Sequence, residues 1–198
     1  MKPDARQAER RGEQGWALTR LIGLHNGMRN DLALLRRAVA AATEDGAEAY
    51  AAAAALDDLS FRQPGWSLQA YCTEFCGFVH EHHSVENTML FPALQQQAGQ
   101  EPRLRGVIDK LMADHRILTG YLDEVEKTLG ALPGDAAAGT AAAAAVERLA
   151  EHLEAHLDFE EGSLAPALNM LSRVVSQDDF PAPAPPERFD VSTRGRDG

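Results

Sequence analysis

Hydrophobic residues along this chain recur at intervals of three and four, and four long segments keep that rhythm. The first, Trp16 to Ala42, places Leu18, Leu21, His25, Met28, Leu32 and Val39 on one stripe. The second, Ser67 to Gln97, aligns Leu68, Tyr71, Phe75, Phe78, Val79, His82, Glu86 and Met89. A third, Pro102 to Leu129, offers Leu104, Ile108, Leu111, His115, Leu118 and Leu122. The fourth, Ala136 to Leu171, offers Leu149, His152, Leu153, His156, Phe159 and Glu160. This spacing gives each helix one apolar face, and strand-type alternation is absent. The pattern predicts an all-α protein, an up-down-up-down four-helix bundle. Pro64-Gly65 and Pro133-Gly134 break the chain between segments, and the Ala-rich stretch Ala47 to Leu59 predicts a short helix inside the first connection. The bundle is expected over 15–173, between disordered tails at 1–14 and at the Pro-rich 174–198.

The apolar stripes are interrupted by histidine and glutamate, and the interruptions repeat. His82-His-Ser-Val-Glu86-Asn-Thr-Met-Leu90-Phe-Pro92-Ala-Leu94 aligns without gaps on His156-Leu-Asp-Phe-Glu160-Glu-Gly-Ser-Leu164-Ala-Pro166-Ala-Leu168, agreeing at six of 13 positions. Each stretch is preceded by a helix with a single inward histidine, Leu21-x-x-x-His25 and Leu111-x-x-x-His115. Residues i and i+4 sit one turn apart on one face, so His82/Glu86 and His156/Glu160 can each address one ion. A pseudo-two-fold bundle would gather two metals, each with two histidines, bridged by Glu86 and Glu160. Imidazole with carboxylate suits iron, then manganese, better than a thiolate-rich zinc or copper site. Two buried carboxylates and four buried imidazoles without partners would cost several kcal/mol at least, which coordination relieves. The prolines six residues after each glutamate are expected to end or kink their helices beyond the site.

Composition narrows the function classes. Among 198 residues, 30 Asp+Glu against 19 Lys+Arg give a net charge of −11, which leaves no basic footprint for nucleic acid. No run approaches about 18 apolar residues, and the basic N-terminus has no signal-type apolar stretch behind it. Two cysteines make no disulfide framework, so a cytoplasmic, reducing setting is expected. No Ser/His/Asp triad or phosphate-binding loop is present.

Other polar residues have simpler readings. Cys72, Cys76 and His80 follow at i+4 steps, but His80 lies about 160° from the His82 face, so small buried thiols fit better than a zinc site. His83 can hydrogen-bond a neighbouring helix, or replace His82 if the register slips, although only His82 matches the repeat. His152, one turn before His156, and Tyr50, in the first connection, are further candidate ligands. Tyr71 lies too far along its helix and packs in the core. Arg29 can orient Glu86 or Glu160 or snorkel outward, whereas Asp158 and Glu161 read as solvated. Phe75, Phe78, Leu118 and Phe159 form an apolar wall.

Together, His25, His82-His83-x-x-Glu86 followed by Leu90-Phe91-Pro92, Asp114-His115, and His156-x-x-x-Glu160-Glu161 resemble the hemerythrin-like family, the HHE cation-binding domain. The resemblance covers about residues 16 to 172. Residues 62–76, with Trp66, Tyr71, Cys72 and Cys76, further resemble a bacterial branch typically seen in actinobacteria. Family membership implies a four-helix bundle holding two non-haem irons, bridged by two carboxylates and an oxo or hydroxo group. It also implies a small ligand: dioxygen, peroxide or nitric oxide. Ferritin-type bundles need Glu-x-x-His, which no histidine here satisfies. Oxygen-carrying hemerythrins place a second histidine one turn from the third-helix ligand, where this chain has Leu111 and Thr119. That open position favours reduction of peroxide or nitric oxide, a peroxidase- or catalase-like or nitric-oxide-processing activity, over oxygen carriage. The alternative is a non-enzymatic module that binds, stores or senses oxygen or iron.

Overall fold

Each of the four periodic segments folds as a helix in the computed structural model, which describes residues 15–44, 68–98, 101–131 and 136–176. Helix α1 is Trp16–Glu44. Helix α2 begins as Leu68–Val85, passes through one π-helical turn at Glu86–Leu90, and continues as Phe91–Ala98. Helix α3 is Pro102–Gly130, with proline at its first position, where a missing N–H costs nothing. Helix α4 is Ala136–Val174. The Ala-rich segment Ala47–Leu59, Tyr50, residues 62–67 and the outer parts of both tails lie outside the described residues.

Side-chain contacts fix the direction of every helix. Early α1 meets late α4, where Gly15 N–H donates to Asn169 Oδ1 at 2.8 Å, and late α1 meets early α4, where Arg36 Nε donates to Glu147 Oε1 at 2.8 Å. His25 meets His82 while the later Asp31 accepts, through its backbone carbonyl, from the earlier Tyr71 hydroxyl at 3.3 Å. His115 of α3 meets Asn87 of α2 and His156 of α4, and the later Glu124 meets the earlier Arg148. All neighbours are therefore antiparallel, and the bundle runs up-down-up-down.

The core is split in two. One apolar cluster joins Met28 to Val39, Tyr71 to Val79, Leu118 to Leu129 and Ala142 to Leu157. The other joins Ala17 to Leu21, Phe91 and Leu94, Leu104 to Leu111 and Leu164 to Leu171. Between them lies a layer of buried polar side chains, His25, His82, His83, Glu86, His115, His156 and Glu160. In α1 and α3 the gap is seven residues wide, from Leu21 to Met28 and from Leu111 to Leu118, with one histidine in each.

Helix α2 departs from the expected register beyond Glu86. Met89, expected inward, is exposed, and Phe91 and Leu94 fill the second cluster instead. The cause is the π-turn, closed by the Phe91 N–H on the Glu86 carbonyl, which advances the stripe by five residues instead of four. Pro92 has no N–H for the Thr88 carbonyl and its ring crowds that carbonyl, which favours loosening in this turn. Neither proline ends its helix: α2 continues to Ala98, and Pro166 lies inside α4. Two early α1 donors are satisfied from α4, by Asn169 Oδ1 and, for the Ala17 N–H, by Ser172 Oγ at 3.0 Å.

That junction leaves no room at Gly15, where a Cβ would overlap the Ser172 side chain and lie 3.2 Å from Asn169 Oδ1. Gly15→Ala should lower the unfolding free energy by about 1–3 kcal/mol. Gly23→Ala, on an exposed helix position with open space around it, should raise it by about 0.5–1 kcal/mol. Urea denaturation of both variants measures the contrast; equal effects would refute the close junction.

Candidate metal centre

The buried polar layer resolves into two groups of ligand-type atoms, each within 4.8 Å of one another: His25, His82, Glu86 and Glu160, and His83, His115 and His156. Helix α2 serves both because of its angular steps. At about 100° per residue, His83 lies about 100° round from His82 and Glu86 about 40°, between the two. Helix α4 repeats the offset, with Glu160 about 40° round from His156.

The distances tie each carboxylate to both groups. Glu86 Oε1 lies 2.8 Å from His82 Nε2, and its Oε2 lies 3.5 Å from His115 Nε2. Glu160 Oε2 lies 3.6 Å from His25 Nε2 and 3.7 Å from His156 Nε2. His25 and His82 bring their Nε2 atoms to 3.1 Å, and His115 and His156 to 3.2 Å. His83 stacks on His115 with centroids 4.0 Å apart and stands edge-on to His156 at 5.3 Å.

These residues fit a cation better than they fit each other. Among the described residues, all four oxygens of Glu86 and Glu160, both nitrogens of His83 and Nδ1 of His156 are buried without a partner in hydrogen-bond geometry. Orphaned buried carboxylates and imidazoles cost several kcal/mol, and a shared positive charge removes that cost. Paired nitrogens at 3.1–3.2 Å also match two imidazoles set at right angles about an ion, about 3.0 Å apart for bonds of about 2.1 Å.

The model of the hemerythrin HHE cation-binding domain matches residues 17–168. The chain belongs to that family. No curated protein and no solved structure matches the chain. In this hemerythrin domain the matched span contains all four helices' contributions to the centre.

The structure brings together all six residues expected from the doubled pattern, His25, His82, Glu86, His115, His156 and Glu160, in the two groups of the buried layer. The seventh, His83, was expected outside it. Its counterpart in the repeat, Leu157, packs in the apolar core, so the alignment hid it. The signal was present in the spacing, because His82, His83 and Glu86 span one arc of α2. Where two histidines per metal are expected, the ligand-type atoms gather as two histidines in one group and three in the other, with His83 stacked on His115. His152 lies outside: it is exposed, with Nδ1 bonded to the Arg148 carbonyl and Nε2 3.3 Å from the Tyr121 hydroxyl. Cys72 and Cys76 are free, buried thiols with sulfurs 3.5 Å apart. Arg29 reaches neither Glu86 nor Glu160; it holds Glu161 and Asp158, and Glu161 in turn meets His25. Glu161, expected solvated, turns toward α1 because α4 packs between α1 and α3.

The layer is arranged to stay neutral until a cation arrives. Burial holds the imidazoles of His25, His82, His115 and His156 down, to about 2, 4, 3 and 4, and lowers His83 as well. Burial pushes Glu86 up to about 8, and burial with the neighbouring Glu86 raises Glu160 well above the carboxylate range. The imidazoles thus keep free lone pairs at neutral pH, while the carboxyls must shed protons to bind a metal.

For the metal-free protein these shifts oppose each other. The unfolded chain gains protons on five histidines below about pH 6.5 that the folded chain refuses, so stability falls on acidification. The two glutamates, with folded values above their unfolded ones, contribute stability that is lost as pH rises toward 8. Five imidazoles outnumber two carboxyls in the acid window, and only the carboxyls act above it. Urea midpoints of the metal-free protein should therefore be highest near about pH 6.5 and fall on both sides. A flat profile from pH 5 to 8.5 would refute the buried, neutral layer.

Proposed function

We propose that this hemerythrin domain holds two non-haem irons and uses them to bind and reduce a small ligand, peroxide or nitric oxide first and dioxygen also. One observation carries the reading: Glu86 and Glu160 each lie within 3.7 Å of histidine nitrogens from both groups, as bridging carboxylates would. His25 and His82 would hold one ion and His83, His115 and His156 the other. Neutral imidazoles with two carboxylates favour iron over softer metals, with manganese second. When bound, an iron pair supplies electrons and Lewis acidity to an O–O or N–O bond.

The chain's own residues define what reaches that pair. Phe91 and Leu111 close the layer on one side and Leu118 and Leu153 on the other, all essentially inaccessible to solvent. This apolar lining excludes bulk water and favours uncharged ligands over charged ones. The imidazole count leaves the His25/His82 side with fewer donors, so a ligand would bind there. The supply of an imidazole by His83 removes the reason for assigning the open position to the α3 side. No described helix is long and apolar enough to cross a membrane. A cytoplasmic setting is part of this reading, supported by two buried cysteines that pair in no disulfide.

Metal analysis with a spectral titration tests the proposal. The protein should contain close to two irons and show the near-ultraviolet absorption of an oxo- or hydroxo-bridged pair. His82→Ala, His83→Ala and Glu160→Ala should each lose iron, whereas His152→Ala should keep it. Unchanged metal in the first three variants would sink the assignment. Turnover of peroxide or nitric oxide supports the enzyme; reversible oxygenation without turnover identifies a carrier or sensor instead.

A further inference from the structure

The surroundings of the centre are asymmetric. His25 Nδ1 donates to Glu161 Oε1 at 2.9 Å, and the same oxygen accepts from Arg29 Nη1 at 2.7 Å. Arg29 Nη2 then donates to Asp158 Oδ1 at 2.7 Å, at the surface. In the other group, His115 Nδ1 meets the neutral Asn87 Oδ1, at 3.0 Å. His156 Nδ1 has no hydrogen-bond partner among the described residues, with Asp114 Oδ2 at 3.8 Å.

We propose that Glu161, clamped by Arg29, is the positioning residue for the His25 side of the centre, fixing the tautomer of His25 and setting how tightly that side holds its cation. The inference rests on the two-ion reading above. A neutral imidazole carries one proton, and an anionic acceptor beside Nδ1 keeps it there. The Nε2 lone pair then faces inward, toward His82 Nε2 and Glu160 Oε2. The carboxylate also makes the imidazole a stronger donor, as outer carboxylates do for metal-bound histidines. Helical geometry makes the clamp possible. His25 and Arg29 lie one turn apart on α1, so both reach one carboxylate, while Glu160 and Glu161 are separated by about 100° on α4 and face different neighbours. Glu161 sits on the far side of the His25 ring from the centre and is committed to Arg29, so it supports a ligand without being one.

The metal-free full-length chain, titrated anaerobically with ferrous iron alone against a chelator, tests this. The wild type should take two equivalents. Glu161→Ala should keep one and bind the other about 10- to 100-fold more weakly, and Glu161→Gln, which retains an acceptor oxygen, should lose less than about tenfold. Independently of metal, nitrogen NMR of the metal-free protein should show His25 as the Nδ1–H form in the wild type and as mixed tautomers in Glu161→Ala. If the alanine variant does not fold by circular dichroism, Glu161→Met, which fills similar space and offers no acceptor oxygen, is read in the same way. Two ions held as tightly in the variant that lacks the acceptor as in the wild type, or an unchanged His25 tautomer there, would overturn the role of Glu161. Fewer than two equivalents in the wild type would instead overturn the two-ion reading, and the tautomer would still decide this one.

Discussion

Everything in this bundle is arranged around seven polar side chains buried in a layer that cannot satisfy itself. Carboxylate oxygens and imidazole nitrogens point at shared space, not at donors, and an unfilled layer of this kind works against folding. Two apolar clusters, one on each side, hold the layer in place. Burial that would be a defect in an ordinary core becomes the means of capturing a cation, since desolvated ligands have no competing water to shed. The energetic cost is met by packing elsewhere and recovered when positive charge enters.

The four helices contribute unequally. Helices α1 and α3 each give one histidine, whereas α2 gives three of the seven groups. A straight α-helix that presented His82, His83 and Glu86 inward would next present Met89 or Leu90 to the core. The π-turn at Glu86–Leu90 resets that register, so the helix can serve the polar layer and still deliver Phe91 and Leu94 to the second cluster. The irregularity sits where the demands of the site and the core conflict.

Much of this was legible in the sequence because helical period and ligand spacing are the same physical regularity. Apolar positions three and four apart identified the helices, and the histidines that interrupted them identified the layer. What escaped notice depended on facts that period alone does not hold. His83 was obscured by a repeat whose other half has Leu157 in its place. Met89 was misplaced because a π-turn leaves no direct mark beyond a nearby proline. Glu161 looked solvated because a single helix has only an inside and an outside, whereas α4 has two neighbours and a third direction between them. Tyr50 and the Ala-rich Ala47–Leu59 fall outside the described residues.

The junction of Gly15 and Trp16 with Asn169, Ser172 and Val175 joins positions 154 to 159 residues apart. During synthesis α1 emerges first, yet the groups that seat its N-terminus are among the last of the bundle to be made. Both ligand groups likewise require residues from α4. A nascent chain lacking that helix has neither its seam nor a complete ligand group, so metal capture waits on release of nearly the whole domain. Contacts between residues so far apart in sequence form only after large loops close, which slows them relative to the local contacts within each helix.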